Sequence, residues 1–164
     1  MVSLPFIDFH LRTRIVFGFG TLSRLTSLAA ELGFTRTLIV ADAGITAAGY
    51  VDTVAALLRD AGSAPSCFHG FDANPDSDMV EAGRTVAAAA AVDSIVAIGG
   101  GSSLDCAKGI NFLHTGGGRM QDYWGVGKAT EPMLPMWFSR KVRQVCNGGR
   151  RRGTRYLLTL LSAI

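Results

Sequence analysis

The sequence predicts an α/β fold, a parallel sheet with helices on both faces. Three observations predict it. Short apolar runs, Arg36 to Ala41 and Asp93 to Ile98, alternate with segments of helical spacing. Such alternation gives parallel strands joined by right-handed crossovers. The first run is rich in branched residues and continuously apolar, as a strand covered on both faces is. A bare glycine turn, Gly99-Gly100-Gly101, separates the second run from the helix that follows it.

The elements follow in order. Leu22, Leu25, Leu28 and Leu32 recur at helical spacing, and Gly33 stands where a helix-ending glycine belongs. Arg36 to Ala41 is a buried strand with Asp42 at its end. Val51, Val54, Leu57, Leu58 and Ala61 form a second helix, stopped by Gly62. Ser66 to Phe71 reads as another strand. Asn74-Pro75-Asp76 opens a third helix, with Asn or Asp as its cap and Pro tolerated in its first turn. That helix runs to about Ala91, with small alanines on its packing side. Asp93 to Ile98 is the strand feeding the glycine turn. The next helix reaches about Leu113, with Ser102 or Ser103 as its cap and Asp105 spaced from Ser102 as in a capping box. Gly116-Gly117-Gly118 breaks it. Gln121 to Thr130 is a loop, and Pro132 to Met136 opens a last strand.

Length and composition bound the function. One domain is expected of 164 residues, and 48% hydrophobic residues support a packed core. The longest apolar stretch, Val86 to Val92, is mostly alanine, and Tyr156 to Ile164 is too short to span a bilayer. No membrane segment or secretory signal is therefore expected. Cys67, Cys106 and Cys146 are odd in number, widely spaced and without metal-binding pattern, which suggests a reducing, cytoplasmic setting. Cys106, inside a helix, reads as a small buried apolar residue. His10, His69 and His114 have no partner at helical spacing and read as structural.

The candidate site is a phosphate cradle at Gly99, Gly100, Gly101 and Ser102. Without side chains, the turn lets a ligand approach the backbone, and the helix start aims N–H groups and partial positive charge at it. A Gly100→Val change is expected to fill that space and to resist a positive φ. Asp42, at a strand end, reads either as an acceptor for a ribose diol that would repel a 2′-phosphate or as a turn-forming residue beside Gly44. Lys108 reads as a phosphate attractor or as half of an ion pair. Tyr123 and Trp124 read as neighbours of a bound base or as loop anchors. The spacing matches neither the G-x-G-x-x-G fingerprint nor the G-x-x-x-x-G-K-[ST] loop.

The order G-G-G-S-x-x-D-x-A-K, from Gly99 to Lys108, resembles the iron-containing (group III) alcohol dehydrogenase family. Ile15-Val16-Phe17-Gly18-Phe19-Gly20, Thr37 to Asp42, Asn74-Pro75, Gln121 to Gly125 and Pro132 to Met136 also resemble family segments, in the right order. The resemblance implies a Rossmann-like nucleotide-binding domain, NAD or NADP as cofactor, with the ribose reading of Asp42 favouring NAD, and Asn74 as a cofactor contact or a helix cap. It implies hydride transfer between a small alcohol or aldehyde and the cofactor, with iron or another divalent metal polarising the substrate oxygen. In the family an Asp and three His on a separate helical domain bind that metal. No Asp-x-x-x-His pair occurs in this sequence, so no metal ligand and no catalytic residue is assigned. A glycerol dehydrogenase or dehydroquinate synthase relative is the rival within enzymes. The segment Gln121 to Trp124 favours the alcohol dehydrogenase branch.

The resemblance stops at about Met136, and composition changes there. Residues 1–136 carry nine basic and thirteen acidic side chains, and residues 137–164 carry seven basic and none acidic. The expected division is therefore a nucleotide-binding α/β domain at 1–136 and a basic tail at 137–164. The tail reads either as a cationic segment for a nucleic acid or acidic surface, or as the product of a shifted reading frame. The abrupt end of the resemblance favours the second, and nucleic acid is disfavoured as a partner. The tail is expected to be disordered through Gly153, with helical spacing in Tyr156 to Leu161. A chain lacking the helical metal domain is expected to be inert alone, and to self-associate through bared apolar surface.

Overall fold

A computed structural model of the chain describes residues 13–142 and 155–161. Among the described residues, six strands form one sheet: β1 (Thr13–Phe19), β2 (Arg36–Ala41), β3 (Ala64–Phe68), β4 (Ser94–Gly99), β5 (Met136–Val142) and β6 (Arg155–Leu161). The strand order is β1-β6-β5-β4-β2-β3. β3, β2, β4 and β5 are mutually parallel, and β6 pairs antiparallel with both β5 and β1. The helices are α1 (Arg24–Glu31), α2 (Ala43–Ala47), α3 (Tyr50–Asp60), α4 (Ser77–Ala89) and α5 (Gly101–Gly116).

The period of two along each central strand divides the core into two layers. Ile39 and Ala41 of β2, Val96 and Ile98 of β4 and Trp137 of β5 pack with α1 and α3. Leu38 and Val40, Ile95 and Ala97, and Met136 and Phe138 face the other way, against α4 and α5. Helices thus cover both faces of the parallel part, as expected.

Helix ends follow local chemistry. Gly33, at φ +70°, lets Phe34 N–H reach Ala29 O at 2.9 Å and closes α1. Asp76 caps α4, its Oδ1 accepting Met79 N–H at 2.9 Å. Asn74 is not the cap. It lies two residues earlier, in a left-handed conformation.

Four expectations change. The strand expected at Ser66 to Phe71 runs from Ala64 to Phe68 and includes Pro65, which the sheet tolerates because β3 is an edge. Neither Ser102 nor Ser103 caps α5; both lie inside it, and Gly100 holds the cap position. The segment with helical spacing, Tyr156 to Leu161, lies in strand β6, because a short apolar run does not distinguish the two periods. The boundary at Met136 falls at the first residue of β5, so Trp137 to Val142 and Arg155 to Leu161 are sheet rather than disordered tail. Trp137 and Phe138 are buried, and pairing with β4 satisfies the backbone there. Residues 143–154, Cys146 among them, and His10 lie outside the described residues.

Candidate functional site

The chain leaves β2 toward β3 on one side of the sheet and leaves β4 toward β5 on the other. The carboxyl ends of these two neighbours therefore open into a crevice, the place where open parallel sheets take ligands. Ala41 lies opposite Ile98, so Asp42 and Gly99 stand side by side. A cleft of about 330 Å³ lies there, lined by Asp42, Ala43, Gly44, Phe71, Asp72, Ala73, Gly100 and Ser102.

Asp42 is anchored from two directions. Its Oδ1 accepts Ile45 N–H at 2.9 Å and caps α2, and its Oδ2 accepts the Ser103 hydroxyl at 3.2 Å. The turn-forming reading of Asp42 is thus seen, and it leaves room for another role. A carboxylate has about four acceptor positions, so two stay unused among the described residues.

The glycines divide the work. Gly99 takes φ +141°, and a Cβ there would run into Ser103 Oγ and come within 2.8 Å of Asp42 Oδ2. The positive φ thus falls on Gly99, not on Gly100, which is extended at φ −92°. A Cβ on Gly100 or Gly101 would meet nothing within 4 Å, so their missing side chains leave the mouth of the turn open. No side chain caps α5. The first-turn N–H groups of this 16-residue helix are therefore left to solvent or to an anion.

Ser102 lies in that first turn, and its Oγ accepts Asn74 N–H at 3.2 Å. This bond holds the segment before α4 against the start of α5. Beyond it lies a second cleft of about 430 Å³, with Asn74, Asp76, Lys108, Phe112 and Trp124 on its walls. Lys108 pairs with Asp105 at 3.5 Å along α5, so the ion-pair reading of Lys108 is the one seen. Lys108 lines the second cleft and not the first, whose walls carry the carboxylates of Asp42 and Asp72 and no basic side chain. Tyr123 anchors its loop: its hydroxyl reaches Phe112 O at 3.0 Å and Gly117 O at 2.8 Å. Burial pushes the Cys106 thiol up to about 12, as befits an inert core residue.

Of the six residues expected at the site, Asp42, Gly100 and Ser102 line one cleft. Gly99 packs behind it, Gly101 begins the helix, and Asn74 lines the second cleft, tied to Ser102 through its backbone N–H. The structure adds Ser103 and the segment Phe71 to Ala73. Ser103 stood out in the sequence only as a cap, because its partner lies 61 residues away. Among the described residues, no three His, Cys, Asp or Glu side chains gather to hold a metal ion, and no helix is long and apolar enough to cross a membrane.

The sequence model of the family described as iron-containing alcohol dehydrogenase matches residues 12–138. The chain is 39% identical over 134 residues to alcohol dehydrogenase 4 of Schizosaccharomyces pombe, covering 82% of this chain and 32% of that protein. It is 33% identical over 129 residues to the NAD-dependent methanol dehydrogenase of Bacillus methanolicus, covering 79% and 34%. The crystal structure of a 1,3-propanediol oxidoreductase superposes with a TM-score of 0.73 at 33% identity, over 76% of this chain and 33% of that one. The chain thus spans about a third of the length of the relatives it matches. With a glycine turn and an acid meeting at the sheet's switch point, and a family match over most of its length, the chain belongs to the iron-containing alcohol dehydrogenase family.

Proposed function

We propose that this chain is the cofactor-binding part of an alcohol dehydrogenase and takes NAD in preference to NADP at the β2–β4 cleft. The observation that carries the reading is the meeting of two unlike polar features in one cleft. The open turn at Gly100 and Gly101 leads to the uncapped start of α5, and Asp42 keeps acceptor capacity beside it. First-turn N–H groups suit a pyrophosphate, and Asp42 suits a ribose diol while repelling a 2′-phosphate.

When bound, a nicotinamide dinucleotide accepts or returns a hydride, here from or to a small alcohol or aldehyde. Gly100, Gly101 and Ser102 would hold its phosphates, and Asp42 its ribose. The metal used by the family is another matter. The described residues offer no donor set for it, and the sequence has no Asp-x-x-x-His pair. The chain by itself is proposed not to turn over alcohol.

Calorimetric titration of the full chain and its Gly100→Val variant with NAD tests the reading. The valine Cβ enters open space and Gly100 is already extended, so the fold tolerates it while the ligand loses its place. NAD affinity is expected to fall at least about tenfold, because the branched side chain takes the volume of the phosphate. Equal affinity in the two proteins would move the cradle elsewhere.

A further inference from the structure

We infer that Ser103 is a positioning residue, which sets cofactor choice by holding the Asp42 carboxylate in the orientation that meets a ribose diol. The inference rests on the dinucleotide reading above. Ser103 is fully buried, and its hydroxyl donates to Asp42 Oδ2 at 3.2 Å. It comes from α5, whereas Asp42 follows β2, so the bond joins the two sides of the crevice.

The geometry around that bond is close. Gly99 lies beneath it at φ +141°, and any Cβ there would collide with Ser103 Oγ and crowd Asp42 Oδ2. On the other oxygen, Ile45 N–H holds Oδ1 at 2.9 Å. Among the described residues, each carboxylate oxygen therefore has one position filled and one left. One free position per oxygen is what two neighbouring hydroxyls need for a paired contact. Without the Ser103 bond, Oδ2 loses its anchor, and the carboxylate turns about its side-chain bond while Ile45 still holds Oδ1. The diol contact then weakens, and the negative charge no longer faces the place a 2′-phosphate would take.

Ser103→Ala isolates this effect, because alanine is smaller than serine and favours helix. The experiment titrates the full chain, Ser103→Ala and Gly100→Val with NAD and with NADP. Ser103→Ala is expected to bind NAD about tenfold more weakly, the order of one lost hydrogen bond to a charged group. Its NADP affinity stays level or rises, so the preference for NAD narrows by about tenfold or more. A purely structural role would weaken both cofactors in proportion, and that result overturns the inference. So does an unchanged affinity for both, while loss in Gly100→Val leaves the cradle reading standing. NAD binding that is absent from the unmodified chain, or intact in Gly100→Val, overturns the cradle reading and this inference with it.

Discussion

The two ends of the same strand pair, β2 and β4, are built on opposite plans. At the amino end Asp93 is saturated. Its carboxylate accepts Thr35 N–H at 3.1 Å, Arg36 N–H at 3.0 Å, Ser94 Oγ at 3.0 Å and the Thr35 hydroxyl. Beside it, buried Thr37 bonds Ser63 and Ser94, each at 2.8 Å. Arg36 closes the loop through Nε on Ala91 O at 2.6 Å. At the carboxyl end Asp42 accepts two bonds among the described residues, and the turn beside it lacks side chains. A polar group whose capacity is filled by its own chain adds stability, whereas one with capacity left can bind. The sheet keeps the first kind at one end and the second at the other.

The comparison is broken most directly at Asp93. Asp93→Ala strips several N–H and O–H donors of their acceptor and is expected to cost about 3 kcal/mol in urea unfolding. NAD affinity is expected to stay level. Burial pushes the Asp93 carboxyl up, but hydrogen bonds from Thr35, Arg36 and Ser94 outweigh that and hold it below the ordinary 3.8. A depressed folded value stabilises the protein above 3.8, and that contribution is lost as pH falls below it. Asp93→Asn should therefore be less stable than the unmodified chain at pH 7, with the gap closing below pH 3.8. A gap that is constant with pH would mean that the charge of Asp93 plays no part in the clamp.

At the other end the signs exchange. Asp42→Ala removes the cap of the five-residue helix α2 and the acceptor of buried Ser103, and is expected to cost about 2 kcal/mol. Cofactor affinity, read by the same titration, should fall far more than stability does. A stability loss as large as that of Asp93→Ala would erase the distinction between the ends.

The smallest effect sharpens the comparison. Two residues past the end of α4, Ala91 takes φ +46°, and Val92 N–H reaches Ala87 O at 3.1 Å. A Cβ in that conformation is unfavourable by about 1 kcal/mol. Ala91→Gly relieves it at some entropic expense, and a net gain of about 0.5 kcal/mol is expected in denaturant unfolding. Ala91 belongs to the saturated end, so NAD affinity should not move. A change there would mean that the two ends are coupled through the strands.

What the sequence by itself determined is local. Strands β2 and β4 stand almost where their apolar runs lie, since burial on both faces writes itself into consecutive residues. Gly33 and Gly62 mark helix ends because a left-handed residue is a property of one position. The glycine turn and Asp42 were legible as separate features for the same reason. The tertiary structure decided everything that depends on distance along the chain. Ser103 is a partner of Asp42 rather than a cap only because β2 and β4 are neighbours. Pro65 sits in a strand because β3 is an edge, and Tyr156 to Leu161 form a strand because β1 and β5 flank it. Periodicity reports which faces of a segment are apolar. Only the pairing of distant segments says which edge, which partner and which hydrogen bond each residue meets.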